Sequence, residues 1–287
     1  MNVWVEAARP RTLPASLAPV IVGTAAADRF IAWRALCALA VSLSLQVAVN
    51  YANDLFDARR GVDTEARVGP RRVVAAGLVT PQQMKRAVAI ALGLAALAGL
   101  ALAAAAGWEL LLVGVAAIAA ALGYSGGPRP YASAALGEVM VFVFFGVVAT
   151  SGSAFVQDET IRAVPLLASV PMGMLAAAIL VANNLRDVGT DRAGGKITLA
   201  VRLGADRSVA LYRALIAFAF AWLALISLAA GSASPLVGLV TLPLAAPAAR
   251  AVRAGADPST LISGLAATAR LQLGFGILLA AGLWISN

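Results

Sequence analysis

The chain contains no histidine and a single cysteine, Cys37. The first absence removes imidazole as a metal ligand or proton carrier. The second rules out a disulfide within the chain and leaves Cys37 as a small apolar residue in an apolar stretch. Charge is scarce as well: Asp, Glu, Lys and Arg make up 13% of the residues, against 61% hydrophobic. With a mean hydropathy of +0.87, that balance excludes a soluble domain with a large core and points to a membrane protein. The opening segment carries Glu6, Arg9 and Arg11 and lacks the short apolar core and small-residue cleavage site of a signal peptide. The first span is therefore expected to stay in place. Lys and Arg outnumber Asp and Glu by 22 to 14. In so apolar a chain this surplus reads as loop charge that sets topology, and nucleic acid is not called for.

What is present is a series of long apolar runs. They predict an all-α polytopic membrane protein, one domain over residues 1–287, with about nine spans near 12–30, 34–57, 85–106, 109–125, 133–153, 163–186, 207–230, 235–252 and 261–284. An N-terminus in the cytoplasm puts about 18 of the 22 Lys and Arg on that side, with Arg29, Arg34 and Arg162 outside and Arg270 inside a span. The long connections, 58–84 and 187–206, then both face the cytoplasm, and each holds a short amphipathic stretch, 72–79 and 198–203, suited to cap a site. Trp33, Trp108 and Trp284 read as interfacial anchors.

Two stretches echo each other across these connections. Asn50, Asn53, Asp54 and Asp57 are spaced to share one helix face, and so are Asn183, Asn184, Asp187 and Asp191. Asn50 and Asn183 are 133 residues apart, as are Asp54 and Asp187, which suggests one site built from two related halves. Carboxylates crowded at the edge of a low-dielectric layer must protonate or find cations. With oxygen ligands only and no histidine, the cation that fits is a hard one such as Mg²⁺, which is commonly held by a few carboxylates together with substrate phosphates. A phosphorylated substrate is implied. Asp63 is a further candidate for the metal shell, and Glu65 reads equally as a solvated loop charge.

Basic residues near the acids supply the other half of a diphosphate site: Arg71, Arg72, Arg129, Arg186, Lys196 and Arg202. Arg129 lies in the run from Tyr124 to Pro130, where two glycines permit close backbone approach, and Lys196 follows Gly194 and Gly195. Tyr124 and Arg129 are counted with Asn50, Asn53, Arg72, Asn184 and Lys196 as substrate-binding candidates. Glu138 opens an unbroken apolar run, where an acid is costly unless it faces a site or a partner. It either polarises an aromatic hydroxyl or pairs with Arg129. Arg270 needs a partner that the sequence does not name.

These stretches resemble the UbiA superfamily of intramembrane prenyltransferases, and within it the MenA type that prenylates 1,4-dihydroxy-2-naphthoate in menaquinone synthesis. The matching residues run from Ala8 to Pro14, Asn50 to Thr64, Gly69 to Val73, Gly126 to Pro130, Leu136 to Glu138 and Asn183 to Gly204. The resemblance implies a nine-helix bundle with two Mg²⁺ ions between the acid clusters and a polyprenyl diphosphate whose tail lies in a lipid-accessible groove. In that scheme Asp54, Asp57, Asp187 and Asp191 hold metal, with Asp63 a weaker transfer. Lys196 and Arg129 hold diphosphate, and Asn50 and Asn53 support the first cluster. The implied reaction joins the prenyl group to the ring, releases diphosphate and carbon dioxide, and gives demethylmenaquinone at a bacterial inner membrane. Glu138 or a first-cluster Asp is a candidate base. Two other readings stand beside it: a related enzyme acting on 4-hydroxybenzoate or homogentisate, and a secondary transporter with midplane acids and inverted repeats.

Overall fold

The computed structural model describes residues 2–61 and 71–287. The described chain is almost entirely helical, and its only β pairing is an isolated bridge between Ala134 and Ile197. Helix α1, Val3–Ala8, is followed by α2, Pro14–Ala25, and α3, Ala32–Arg60; then come α4, Pro81–Ala106, and α5, Leu110–Gly123. Helix α6, Gly137–Asp158, and α7, Ala163–Ala193, lead to the short α8, Leu199–Leu203. Helices α9, Ala205–Ala230, α10, Leu242–Ala251, and α11, Pro258–Ser286, complete the chain.

Helices α3, α4, α6, α7, α9 and α11 are long and apolar enough to cross a membrane, while α2 and α5 are shorter apolar helices. The expected span at 235–252 divides into a 3₁₀ stretch, Ser234–Thr241, and α10. The expected connection 187–206 also needs correction, because its first seven residues continue α7. The backbone ladder there is unbroken until Gly194 and the left-handed Gly195. Helix α3 likewise runs on to Arg60 and stops at the left-handed Gly61. Stretch 72–79 is not a helix. It is a set of turns in which the Leu78 and Val79 amides both donate to the Val73 carbonyl. Helix α8 does form, capped by the Thr198 hydroxyl.

Helices α3 and α7 contain 29 and 31 residues, roughly 44 and 46 Å at 1.5 Å per residue. An apolar layer is only about 30 Å thick. The surplus length carries the last turns of both helices, and with them both acid clusters, to the membrane edge.

Small residues let the helices approach closely. A Cβ on Gly23 would lie 2.0 Å from the Thr150 carbonyl oxygen, and one on Gly146 would lie 2.4 Å from the Gly173 Cα. The core joins α2, α7, α9 and α11 through Ala18, Met172, Leu175, Tyr212, Phe275 and Leu279. Between Phe142 and Val148, α6 widens into a π-helix where it passes α7.

The end of the bundle remote from the acid clusters is tied by a second polar network. Asp158 is buried and accepts from the backbone amides of Asp28 and Arg29 at 3.0 and 3.1 Å and from Arg162 at 3.2 Å. Gln157 accepts from the Ile31 amide at 2.6 Å. Arg34 bridges the Val156 and Ala105 carbonyls and Glu159. Trp33, Trp108 and Trp284 are all exposed at this end, in keeping with a belt of aromatic anchors.

Candidate functional site

A cavity of about 380 Å³ runs into the bundle among α3, α4, α5, α6 and α7. Its mouth is polar, with Asn50, Asn53 and Asp57 from α3, Arg72 from the turns after it, and Asn183 and Lys196 from α7 and beyond. Its interior is apolar, lined by Leu45, Met140, Phe144 and Phe145, and it reaches Val20, Leu102 and Val156 near the other end. Both echoing stretches thus contribute to one site, although they are far apart in sequence.

Within the first stretch the polar residues have separate tasks. Asp57 accepts from Arg72 Nη2 at 3.1 Å, and both side chains are nearly inaccessible. Asp54 accepts from the backbone amides of Val73 and Val74, each at 3.0 Å, so it clamps the following turns onto α3. Asn53 Oδ1 accepts from the Ser125 hydroxyl at 2.6 Å, tying α3 to the end of α5. Asn50 Nδ2 donates to the Ala8 carbonyl at 2.8 Å and to Thr12 Oγ1 at 3.2 Å, which holds the N-terminal segment against the mouth.

The second stretch repeats the theme with different partners. Arg186 and Asp187 are neighbours in sequence and pair through two nitrogens at 2.7 and 2.6 Å. Lys196 Nζ stands 3.9 Å from Asp191 Oδ1, and the Lys196 amide donates to the Asp191 carbonyl at 2.8 Å. Left-handed Gly195 makes that return possible. Asn184 does not face the mouth but donates to Glu138 Oε1 at 2.9 Å, and both residues are buried. The bridge from Ala134 to Ile197 brings the Lys196 loop beside the connection between α5 and α6. Tyr124, which lines the cavity, is within electrostatic reach of Glu138, Asp57 and Asp191. It packs edge-on against Tyr131 with ring centroids 5.4 Å apart. Burial raises the Tyr131 phenol above its ordinary value, so at neutral pH it stays a hydroxyl, donating to the Ala120 carbonyl at 2.8 Å.

Of the expected site residues, Asn50, Asn53, Asp57, Arg72, Tyr124 and Lys196 line the cavity. Asp54, Asp187, Asn184 and Glu138 are buried beside it with the partners just described. Asp191 is buried at the mouth. Arg129 is exposed and does not pair with Glu138, whose partner is Asn184. Arg71 and Arg202 are also exposed. Asp63 and Glu65 lie outside the described residues. Among the described residues no three carboxylates stand close enough to form a ready-made metal cluster.

Sequence reasoning passed over Thr12, Gln46, Ser125 and Tyr131. Gln46 lines the cavity and donates to Thr12 at 3.2 Å. A signal for it was available, since it stands four residues before Asn50 on the same helical face. Ser125 carried no such signal, because its partner Asn53 is on another helix.

Fold and site together define a polytopic helical membrane protein whose central cavity is charged at the membrane edge and apolar within. The chain belongs to the UbiA prenyltransferase family, whose pattern matches residues 16–261. It is 46% identical over 283 residues to the 1,4-dihydroxy-2-naphthoate octaprenyltransferase of Mycobacterium tuberculosis, covering 98% of this chain and 96% of that one. Identity to the Escherichia coli protein of the same name is 38% over 298 residues, covering 100% and 96%. Among solved structures, an apo UbiA homolog from Aeropyrum pernix superposes with a TM-score of 0.69 at 20% identity, covering 95% of this chain and 97% of that one. A UbiA homolog from Archaeoglobus fulgidus bound to DMAPP and Mg²⁺ gives 0.64 at 18%, covering 97% and 99%.

Proposed function

We propose that this chain transfers a polyprenyl group from its diphosphate to 1,4-dihydroxy-2-naphthoate. The observation that carries the reading is the single cavity shared by the two acid-bearing helix ends, with cations beside the acids and an apolar interior. Such a cavity suits an amphiphile with an anionic head and a long hydrocarbon tail. The choice of acceptor is supported by relatives of that name at 46% and 38% identity over nearly the whole chain.

The donor set fits Mg²⁺: it offers carboxylate and amide oxygens with no histidine or thiolate beside them. In this reading Asp54, Asp57, Asp187 and Asp191, with Asp63, are the residues that would hold it. When bound, Mg²⁺ neutralises charge on the departing diphosphate.

Arg72 and Lys196 grip the diphosphate oxygens, and Arg129 joins them from the exposed loop. Asn50 and Asn53 keep the mouth in register. The prenyl C1–O bond breaks with its electron pair leaving on diphosphate, inside a cavity whose apolar wall shields the allylic cation from water. The ring carbon bearing the carboxylate attacks C1. Carbon dioxide then departs, its bonding electrons restore the aromatic ring, and the product is the prenylated hydroquinone, the reduced form of demethylmenaquinone, whose two-electron oxidation to the quinone is a separate later step. Glu138, held by Asn184 behind Tyr124, is the candidate to take the acceptor's proton.

The chain acts as one domain over 1–287 in a bacterial inner membrane, with its N-terminus and the polar mouth in the cytoplasm. The basic residues clustered around the mouth support that orientation. Clusters opening at one end of the bundle speak against a transporter with midplane acids.

The test is mass analysis of the lipid formed from dihydroxynaphthoate and a defined polyprenyl diphosphate, with and without a Mg²⁺ chelator. A product that has gained the prenyl group and lost carbon dioxide, only when Mg²⁺ is free, is expected. Transfer to 4-hydroxybenzoate or homogentisate with none to dihydroxynaphthoate rejects the acceptor.

A further inference from the structure

On the outside of the bundle, at the same membrane edge as the polar mouth, α2 and α11 enclose an open groove of about 460 Å³. Arg11, Pro14, Ser263, Arg270 and Leu273 line it, and among the described residues no acidic one does. Arg11 sits in the 3₁₀ turn Pro10–Thr12, whose Thr12 faces the main cavity on the opposite side. Arg270 is exposed on α11, and its only hydrogen bond among the described residues is a 3.3 Å contact to the Ala266 carbonyl of its own helix. A membrane-spanning helix therefore presents an exposed arginine that has no carboxylate partner among the described residues. Such a residue is costly and needs an anion.

The depth of Arg270 selects the anion. The far end of α11 is anchored by Asn287, which donates to the Ala25 and Ala27 carbonyls. A helix crosses an apolar layer of about 30 Å in roughly 20 residues, so counting back from Asn287 reaches the opposite edge near residue 267. Arg270 lies within one turn of that edge. Its Cα–Cβ bond tilts toward the helix N-terminus, and its long stem carries the guanidinium outward to headgroup level. Arg11, at the entry of α2, brings a second guanidinium to the same groove.

We infer that the Arg11 and Arg270 groove is a binding site for the phosphate of an anionic membrane phospholipid. Two guanidiniums give forked hydrogen bonds to phosphate oxygens, and Leu273 and Ile262 take the start of an acyl chain. A lipid seated there braces the turn that carries Arg9 and Thr12 to the mouth.

The test is native mass spectrometry of the detergent-purified full chain with phosphatidylglycerol or phosphatidylcholine. Wild type is expected to hold phosphatidylglycerol preferentially, and binding is expected to fall about fivefold for each arginine removed in R11Q and R270Q. Phosphatidylcholine adducts stay unchanged, and R11K/R270K keeps the preference. Equal phosphatidylglycerol retention by wild type and R11Q/R270Q overturns the assignment, as does loss of the preference in R11K/R270K. Displacement of the lipid by millimolar inorganic phosphate means a free-anion site, and an arginine-dependent dimer in place of lipid adducts means a second copy fills the groove. Either result also overturns it.

Discussion

Arg72 reaches back to Asp57 across the loop that follows α3, and its Nη2 rests 3.1 Å from the Asp57 carboxylate with both side chains buried. The pair fixes a cation at the cavity mouth and neutralises an acid there. It also makes the mouth depend on a connection between helices and not on helices alone.

Removing that cation strands Asp57. Arg72→Gln is expected to lower prenyl transfer roughly a hundredfold and stability by about 3 kcal/mol, the cost of leaving one partner of a buried pair alone. Arg72→Lys recovers much of the stability and less of the rate, because an ammonium does not reproduce the fork. Turnover measured alongside thermal unfolding separates the two effects.

Asp54 clamps the turns at 73 and 74, so its loss is expected to register in the backbone as well as in activity. Asp54→Ala speeds protease cleavage in the exposed 75–78 stretch, whereas Asp187→Asn leaves cleavage unchanged. Turnover is abolished in both. Similar cleavage rates in Asp54→Ala and wild type would show that the clamp does not hold the turns.

Glu138 and Asn184 form a buried pair in which charge and packing are separable. Glu138→Gln keeps an acceptor for Asn184 and is expected to unfold within a few degrees of wild type, with kcat reduced and KM little changed. Asn184→Leu leaves a buried carboxylate without its donor and costs about 1–3 kcal/mol. Unchanged kcat in Glu138→Gln would remove it from proton transfer.

Close helix contact predicts a contrast between glycines. Gly146→Ala pushes a methyl into Gly173 and is expected to destabilise by about 1–3 kcal/mol. Gly93→Ala meets open space and leaves the unfolding temperature unchanged or slightly higher.

At the far end, Asp158→Ala removes the acceptor of two backbone amides and Arg162. A loss of about 3 kcal/mol is expected, with KM for both substrates unaltered.

Much of this was readable in the residues. The apolar runs marked where the long helices lie, because lipid tolerates few charges over some twenty residues; six of the nine expected spans are helices long enough to cross, two are shorter, and 235–252 divides in two. The runs did not show that α7 continues through Asp191, since polar residues at a membrane edge extend a helix as readily as they end one. The residues at 72–79 did not show that this stretch is a set of turns, because alternating apolar residues do not distinguish turns held by Asp54 from a short helix. The glycine-rich setting of Arg129 did not show that its side chain is exposed. Glu138 needed a partner, and the residue that meets it, Asn184, was assigned elsewhere by its spacing.

Composition and helical spacing determined that this chain crosses a membrane, that it carries two polar helix ends of like spacing, and that both ends offer carboxylate and amide oxygens without histidine or cysteine. Tertiary structure alone decided which side chain of each end enters the cavity and which one braces a neighbour. Spacing sets the direction in which a side chain leaves its helix. Its partner is set by whatever distant segment packs there, as Val73, Ser125 and Glu138 do here.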